Sequence, residues 1–115
     1  MFRENREMPV IINENFRGGD GCVKVTEIVK PNELMGKGRL FSRFTIAHGC
    51  SIGLHKHEGE AEIYYILSGK GLANDNGVER TLETGDMLFT ADGESHSIKC
   101  VSDCDLEFIG VILYS

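Results

Sequence analysis

The chain has no tryptophan, only two prolines and no basic excess. Its 12 lysines and arginines are outnumbered by 18 aspartates and glutamates, for a net charge of −6. Phosphate backbones are held by concentrated basic faces, so no nucleic-acid partner is expected. No apolar run approaches the roughly 20 residues that cross a bilayer as a helix, and no membrane partner is expected. Met1 to Glu7 lacks the apolar stretch of a secretory signal, so the expected location is cytoplasmic. Cys22, Cys50, Cys100 and Cys104 are scattered along a chain long enough to bury its own core. That is no disulfide framework, and reduced thiols are expected. A sustained 3.6-residue apolar period is also missing. Only Asn32 to Met35, after Pro31, offers a helical turn.

What the chain has instead is glycine, 14 residues of it, between short runs rich in valine, isoleucine, phenylalanine, tyrosine and threonine. Strands are predicted over 23–29, 40–47, 63–67, 78–82, 87–90, 96–101 and 106–114. Asn76-Gly77 is the strongest hairpin signal, because both residues accept positive φ. Many short strands with glycine corners predict an all-β antiparallel sandwich or barrel. The length of 115 residues suits one domain. We divide it into an N-terminal arm, residues 1–21, and a β-barrel domain, residues 22–115. The arm carries Val10-Ile11-Ile12, a β-prone run that is either mobile or adds to the sheet of a partner subunit.

Three of the four histidines form a pattern. His55 and His57 alternate around Lys56, and alternate side chains of a strand share a face about 7 Å apart. Both imidazoles can then converge on one ion. Glu62 follows the Glu58-Gly59-Glu60 turn, where an antiparallel return can bring its carboxylate beside them. His96 opens a later strand after Gly93. Three imidazoles and a carboxylate suit a divalent Mn, Fe, Ni, Cu or Zn ion with positions left for water or substrate.

Residues 49–69 read Gly49-x5-His55-x-His57-x4-Glu62-x6-Gly69, and residues 85–96 read Gly85-x5-Ala91-x-Gly93-x2-His96. These segments resemble the two motifs of the cupin superfamily, G-x5-H-x-H-x(3,4)-E-x6-G and G-x5-P-x-G-x2-H-x3-N. The first motif is complete. In the second, Ala91 stands for proline and Cys100 for asparagine. The resemblance implies a single-domain cupin: a double-stranded β-helix, or jelly-roll barrel, with one divalent transition metal held by His55, His57, Glu62 and His96. It also implies that a homodimer is common.

Other residues have competing readings. The four-residue set itself could be a metal-free remnant whose polar groups satisfy one another. Tyr64 shares the face of Glu62 and either donates to a metal-bound substrate or packs the barrel. Met87 and Phe89 are expected on the inner face, as packing first and a substrate wall second. Ile98 and Cys100 share the face of His96 by strand parity. Cys100 is then a small buried hydrophobe, a redox-sensitive thiol or a fifth ligand. Arg39 and Arg43 are candidates to fork a substrate carboxylate or phosphate, with Arg43 placed in the pocket. His48 is expected in a surface turn, and Glu58 and Glu60 in a solvated loop.

The expected function is a metal-dependent enzyme acting on a small polar metabolite, oxygenase-like or isomerase-like, or a lyase. The alternative is a non-catalytic module that binds or senses a small-molecule ligand around a structural metal. An enzyme should leave a metal position open, with Tyr64 or an arginine directed at it.

Overall fold

The β-branched and aromatic runs between glycine corners form ten strands in a computed structural model that describes residues 1–115. They are β1 (Val10–Glu14), β2 (Cys22–Val29), β3 (Gly38–Ile46), β4 (Ser51–Lys56), β5 (Glu60–Ser68), β6 (Gly71–Asp75), β7 (Val78–Leu82), β8 (Met87–Thr90), β9 (Ser95–Cys100) and β10 (Leu106–Tyr114). Single 3-10 turns occupy Asn5–Glu7, Phe16–Gly18 and Pro31–Leu34. No helix is long and apolar enough to cross a membrane.

Every pairing is antiparallel. One sheet has six strands in the order β1-β2-β3-β10-β5-β8, and the other has four in the order β4-β9-β6-β7. This is the jelly-roll barrel expected. The β6–β7 hairpin turns on Asn76 and Gly77, at φ 51° and 90°, where a residue tolerant of the left-handed region is required. β6 lacks β-branched residues, and strand composition does not reveal it. It forms because β7 and β9 pair with it on both sides. β1 pairs with β2 of its own chain, from Val10 opposite Thr26 to Glu14 opposite Cys22. Part of the segment expected to be an arm is thus the edge of the larger sheet.

The two sheets close over one core. Val23, Phe44, Ile46, Ile66, Leu106 and Phe108 enter it from the larger sheet, and Ile52, Ala73, Leu82, Ile98 and Cys100 from the smaller. Phe44 and Phe108 stack with centroids 5.0 Å apart, and Tyr64 lies 4.3 Å from Phe108. Gly110 makes room for that stack: a Cβ there would come within 2.6 Å of the Phe44 ring. The aromatic layer is the floor on which the polar cluster stands.

Candidate metal centre

The polar cluster straddles the two sheets. His55 and His96 face each other as register partners in β4 and β9, after an irregularity between Ile52 and His55 that re-aims the strand. His57 lies one residue past β4. Its N–H donates to the Glu94 carbonyl at 2.9 Å, and its carbonyl accepts from Gly93 at 2.7 Å. Glu62 comes from β5 of the larger sheet, between its register partners Ile112 and Thr90. His57, Glu62 and His96 are buried and His55 is half-buried.

The donor atoms meet at one point. Nε2 of His96 is 3.0 Å from Nε2 of His57 and 3.1 Å from Nε2 of His55. Oε1 of Glu62 is 3.0 Å from Nε2 of both His57 and His96. All four residues offer a donor within 4.8 Å of the others. Donors about 2.1 Å from a shared ion and at right angles to one another lie about 3.0 Å apart, against about 3.4 Å in a tetrahedron. The four short spacings are those of donors around one shared ion, and the whole set lies within 4.8 Å.

The far ring nitrogens explain the aim. His55 Nδ1 donates to the Gly53 carbonyl at 2.7 Å, and His57 Nδ1 to the Glu60 carboxylate at 3.3 Å. Both partners only accept, so Nδ1 carries the proton and Nε2 of a neutral ring presents its lone pair inward. His96 Nδ1 pairs with the Thr90 hydroxyl at 2.7 Å. Three Nε2 atoms, two of them presenting lone pairs, and a carboxylate oxygen thus face each other. Such a set is repulsive unless a cation or a proton sits at the centre, so the donor chemistry fits a metal ion.

Titration reflects that tension. Burial holds the His55 pKa down to about 4. His57 is raised above its ordinary 6.5, because the hydrogen bond to Glu62 outweighs burial. Burial opposes ionisation of Glu62, yet the bonds from His57 and His96 hold it at about 2. Burial pushes the Tyr64 hydroxyl well above 10, with the Glu62 charge acting in the same direction.

A cavity of about 30 Å³ adjoins the cluster, lined by His55, His57, Glu62, Tyr64, Arg39 and the turn residues Phe16 and Arg17, among others. Tyr64 stacks on His96 and brings its hydroxyl to 3.4 Å from His96 Nε2. Arg39 is at the mouth but engaged, donating from Nε to both Glu60 oxygens at 3.1 Å.

Five expected pocket residues lie elsewhere. Met87 and Phe89 point outward, 60% and 48% exposed. β8 is apolar on both faces, and register decides: Leu88 and Thr90 pair with the inward Tyr64 and Glu62. Arg43 is on the outer face of β3, donating to Asn5 Oδ1 at 2.9 Å, because Ser42, Phe44 and Ile46 take the inward positions. Ile98 and Cys100 do share the inner face with His96, but neither lines the cavity. Same face is not same depth: two and four residues along a strand is about 7 and 14 Å. Cys100 Sγ instead meets the Cys104 carbonyl at 3.5 Å. Glu60 is not solvated, since Arg39 and His57 hold it. His48 is in an exposed turn. Sequence reasoning missed Thr90, Gly53, Phe16 and Arg17.

A family model for the cupin domain matches residues 42–112, more than half of the chain. The chain belongs to the cupin family. This cupin is 48% identical over 99 residues to an "Oxalate-binding protein" of Thermotoga maritima, covering 86% of this chain and 82% of that protein. It superposes with a TM-score of 0.96 and 43% identity, over 100% of both chains, on a crystal structure described as a "predicted oxalate decarboxylase" of the same organism. The structure of KdgF from Halomonas sp. shares the fold, with a TM-score of 0.78 at 16% identity, over 100% of this chain and 96% of that one.

Proposed function

We propose that this cupin binds one divalent first-row metal ion through His55, His57, Glu62 and His96, and through it a small chelating carboxylate of the oxalate class. The observation that carries the reading is the inward convergence of three Nε2 atoms and one carboxylate oxygen, each imidazole turned by a partner on its Nδ1. Three imidazoles and one carboxylate suit Mn, Fe, Ni, Cu or Zn with positions left open for a ligand. The bound ion supplies a Lewis-acid centre for ligand oxygens. The chain's own residues do the rest. Tyr64 offers a hydroxyl beside the donors, and the Phe44 and Phe108 layer excludes water from below. A space of about 30 Å³ admits two or three waters or the oxygens of a small chelator, at about 10–15 Å³ per water. The Thermotoga relative named for oxalate binding supports this ligand class.

A second reading, catalysis, is favoured by Tyr64. Its protonated hydroxyl is within 3.4 Å of a donor nitrogen, where it can hand a proton to a substrate carbon or oxygen. Under this reading the cupin is a lyase, oxygenase or isomerase, and replacing Tyr64 with Phe abolishes turnover but spares ligand binding.

In the same proposal residues 22–115 are the barrel domain and residues 1–21 an arm that adds the edge strand β1 and reaches the cavity wall. It also makes the chain a homodimer through the outer face where Tyr65, Leu67, Met87 and Phe89 stand exposed. The deciding experiment measures metal content and oxalate binding by calorimetry in the Mn-loaded protein and in His57→Ala. Binding of both by the parent and loss of both in the variant is expected. Unchanged metal content in the variant overturns the ligand set.

A further inference from the structure

The cavity has a roof that neither motif describes. Residues 15–19 cross its mouth as a strap, with Phe16 and Arg17 on the cavity wall. The strap is tied to β4 beside the metal cluster: Asp20 N–H donates to Ser51 Oγ and Ser51 N–H to the Asp20 carbonyl, both at 2.9 Å. It also lies directly on the strand. A Cβ at Gly53 would collide with the Arg17 carbonyl oxygen, and one at Gly19 with the Ser51 carbonyl oxygen. Only paired glycines permit such an approach.

Two cations line the cavity, and they differ in state. Arg39 is neutralised by Glu60. Arg17 is exposed, forms no ion pair, and holds its guanidinium 5.9 Å from the centre of the Phe16 ring. The backbone of Arg17 is left-handed, at φ 55° and ψ 32°. Glycine adopts that conformation freely and arginine does not. The strain is therefore borne by the cavity-wall residue that carries an unpaired charge.

We propose that Arg17 is the residue that selects the ligand, receiving the outward carboxylate of a short dicarboxylate whose other end is held at the metal cluster. This rests on the metal-and-carboxylate reading above. Size selection follows from the same geometry. The cavity is small and the strap is pressed onto β4, so a dicarboxylate with a longer carbon chain must displace the strap, whereas a two-carbon one does not. Charge selection follows because a monocarboxylate leaves the guanidinium without a partner.

The test uses Mn-loaded full-length protein, with oxalate, succinate and acetate titrated calorimetrically into the parent, Arg17→Gln and Arg17→Gly. Metal affinity is measured separately by chelator competition. The parent should bind oxalate more tightly than either competitor. Both variants should lose about tenfold or more in oxalate affinity, the scale of one charged hydrogen bond, with acetate and metal affinity unchanged. Arg17→Gly should melt at or above the parent temperature, because it relieves the backbone, so its loss of affinity cannot come from unfolding. Oxalate affinity equal to the parent in both variants overturns the role of Arg17 and leaves the metal-and-carboxylate reading standing. Failure of the Mn-loaded parent to bind any carboxylate overturns both. Loss of metal along with oxalate in both variants assigns Arg17 to the integrity of the metal site and overturns ligand selection.

Discussion

Replacing Glu60 with Gln tests whether the inward aim of His57 is imposed from outside the donor set. Glu60 holds two partners, His57 Nδ1 at 3.3 Å and the Arg39 guanidinium at 3.0 Å. A carboxylate on the far nitrogen fixes the ring and raises the basicity of the near one, and its removal costs about 10–100-fold in metal affinity, or about 1.4–2.7 kcal/mol. The bond here is longer than the about 2.7–2.9 Å of a strong charge-assisted pair. The amide oxygen of glutamine also still accepts. Both facts place the effect at the lower end, about tenfold, or about 1.4 kcal/mol. Competition against a chromogenic chelator at one fixed pH measures it. Glu58→Gln is the control, since it makes the same change of charge two residues away but pairs only with exposed Lys56. A tenfold loss in the Glu60 variant beside an unchanged Glu58 variant is expected. Equal losses in both would reduce the effect to general electrostatics, and no loss in either would refute the orienting role.

Metal affinity should fall as pH drops through the His57 pKa, which is raised above 6.5, because the proton on Nε2 occupies the place of the ion. The expected slope below that pKa is about tenfold per pH unit for one released proton, and a flat profile from chelator competition would refute the shared position. His55, held down to about 4 by burial, adds no second proton until pH approaches that value. Phe108→Ala should cost about 3–5 kcal/mol in urea unfolding, since the ring is fully buried against Phe44 and Tyr64; a loss under about 1 kcal/mol would show that the floor repacks. Phe89→Glu should leave melting temperature and metal binding intact while halving the hydrodynamic mass, because Phe89 is 48% exposed on the outer face. A parent protein that already sediments as one chain would refute the proposed dimer.

Most of the barrel was legible because its signals are local. Alternating β-branched residues, glycine corners and Asn76-Gly77 each determine a few residues of backbone, and together they predict an antiparallel barrel. The failures are where a local pattern is symmetric. Met87-Leu88-Phe89-Thr90 is apolar on both faces, so nothing within it says which residues turn inward. The answer lies in β5, where polar Glu62 and Tyr64 are drawn to the site and take Thr90 and Leu88 with them through register. Arg43 fails in the same way, because β3 alternates between a core face and an outer face covered by Asn5, which is far away in sequence. Parity correctly put Ile98 and Cys100 on the inner face. It could not give their depth, which depends on where β9 crosses β4 and β6.

The donor set was legible for a different reason. A metal ion demands particular atoms, so the ligand residue types survive as a pattern even when their strands are far apart. What orients those donors has no such signature. His55 is aimed by the carbonyl of Gly53, and any residue supplies a carbonyl. His96 is aimed by Thr90, and His57 by a glutamate that a sequence reader assigns to the surface. The strap is less legible still. Asn15-Phe16-Arg17-Gly18-Gly19 reads as a polar loop near the N-terminus, and its place over the cavity depends on Gly53, 34 residues beyond Gly19. Gly53 meets both demands at once: its missing side chain admits the strap, and its carbonyl turns His55 toward the donors. A substitution with Ala at Gly53 would therefore disturb ligand access and metal geometry together, whereas changes at Arg17 separate them.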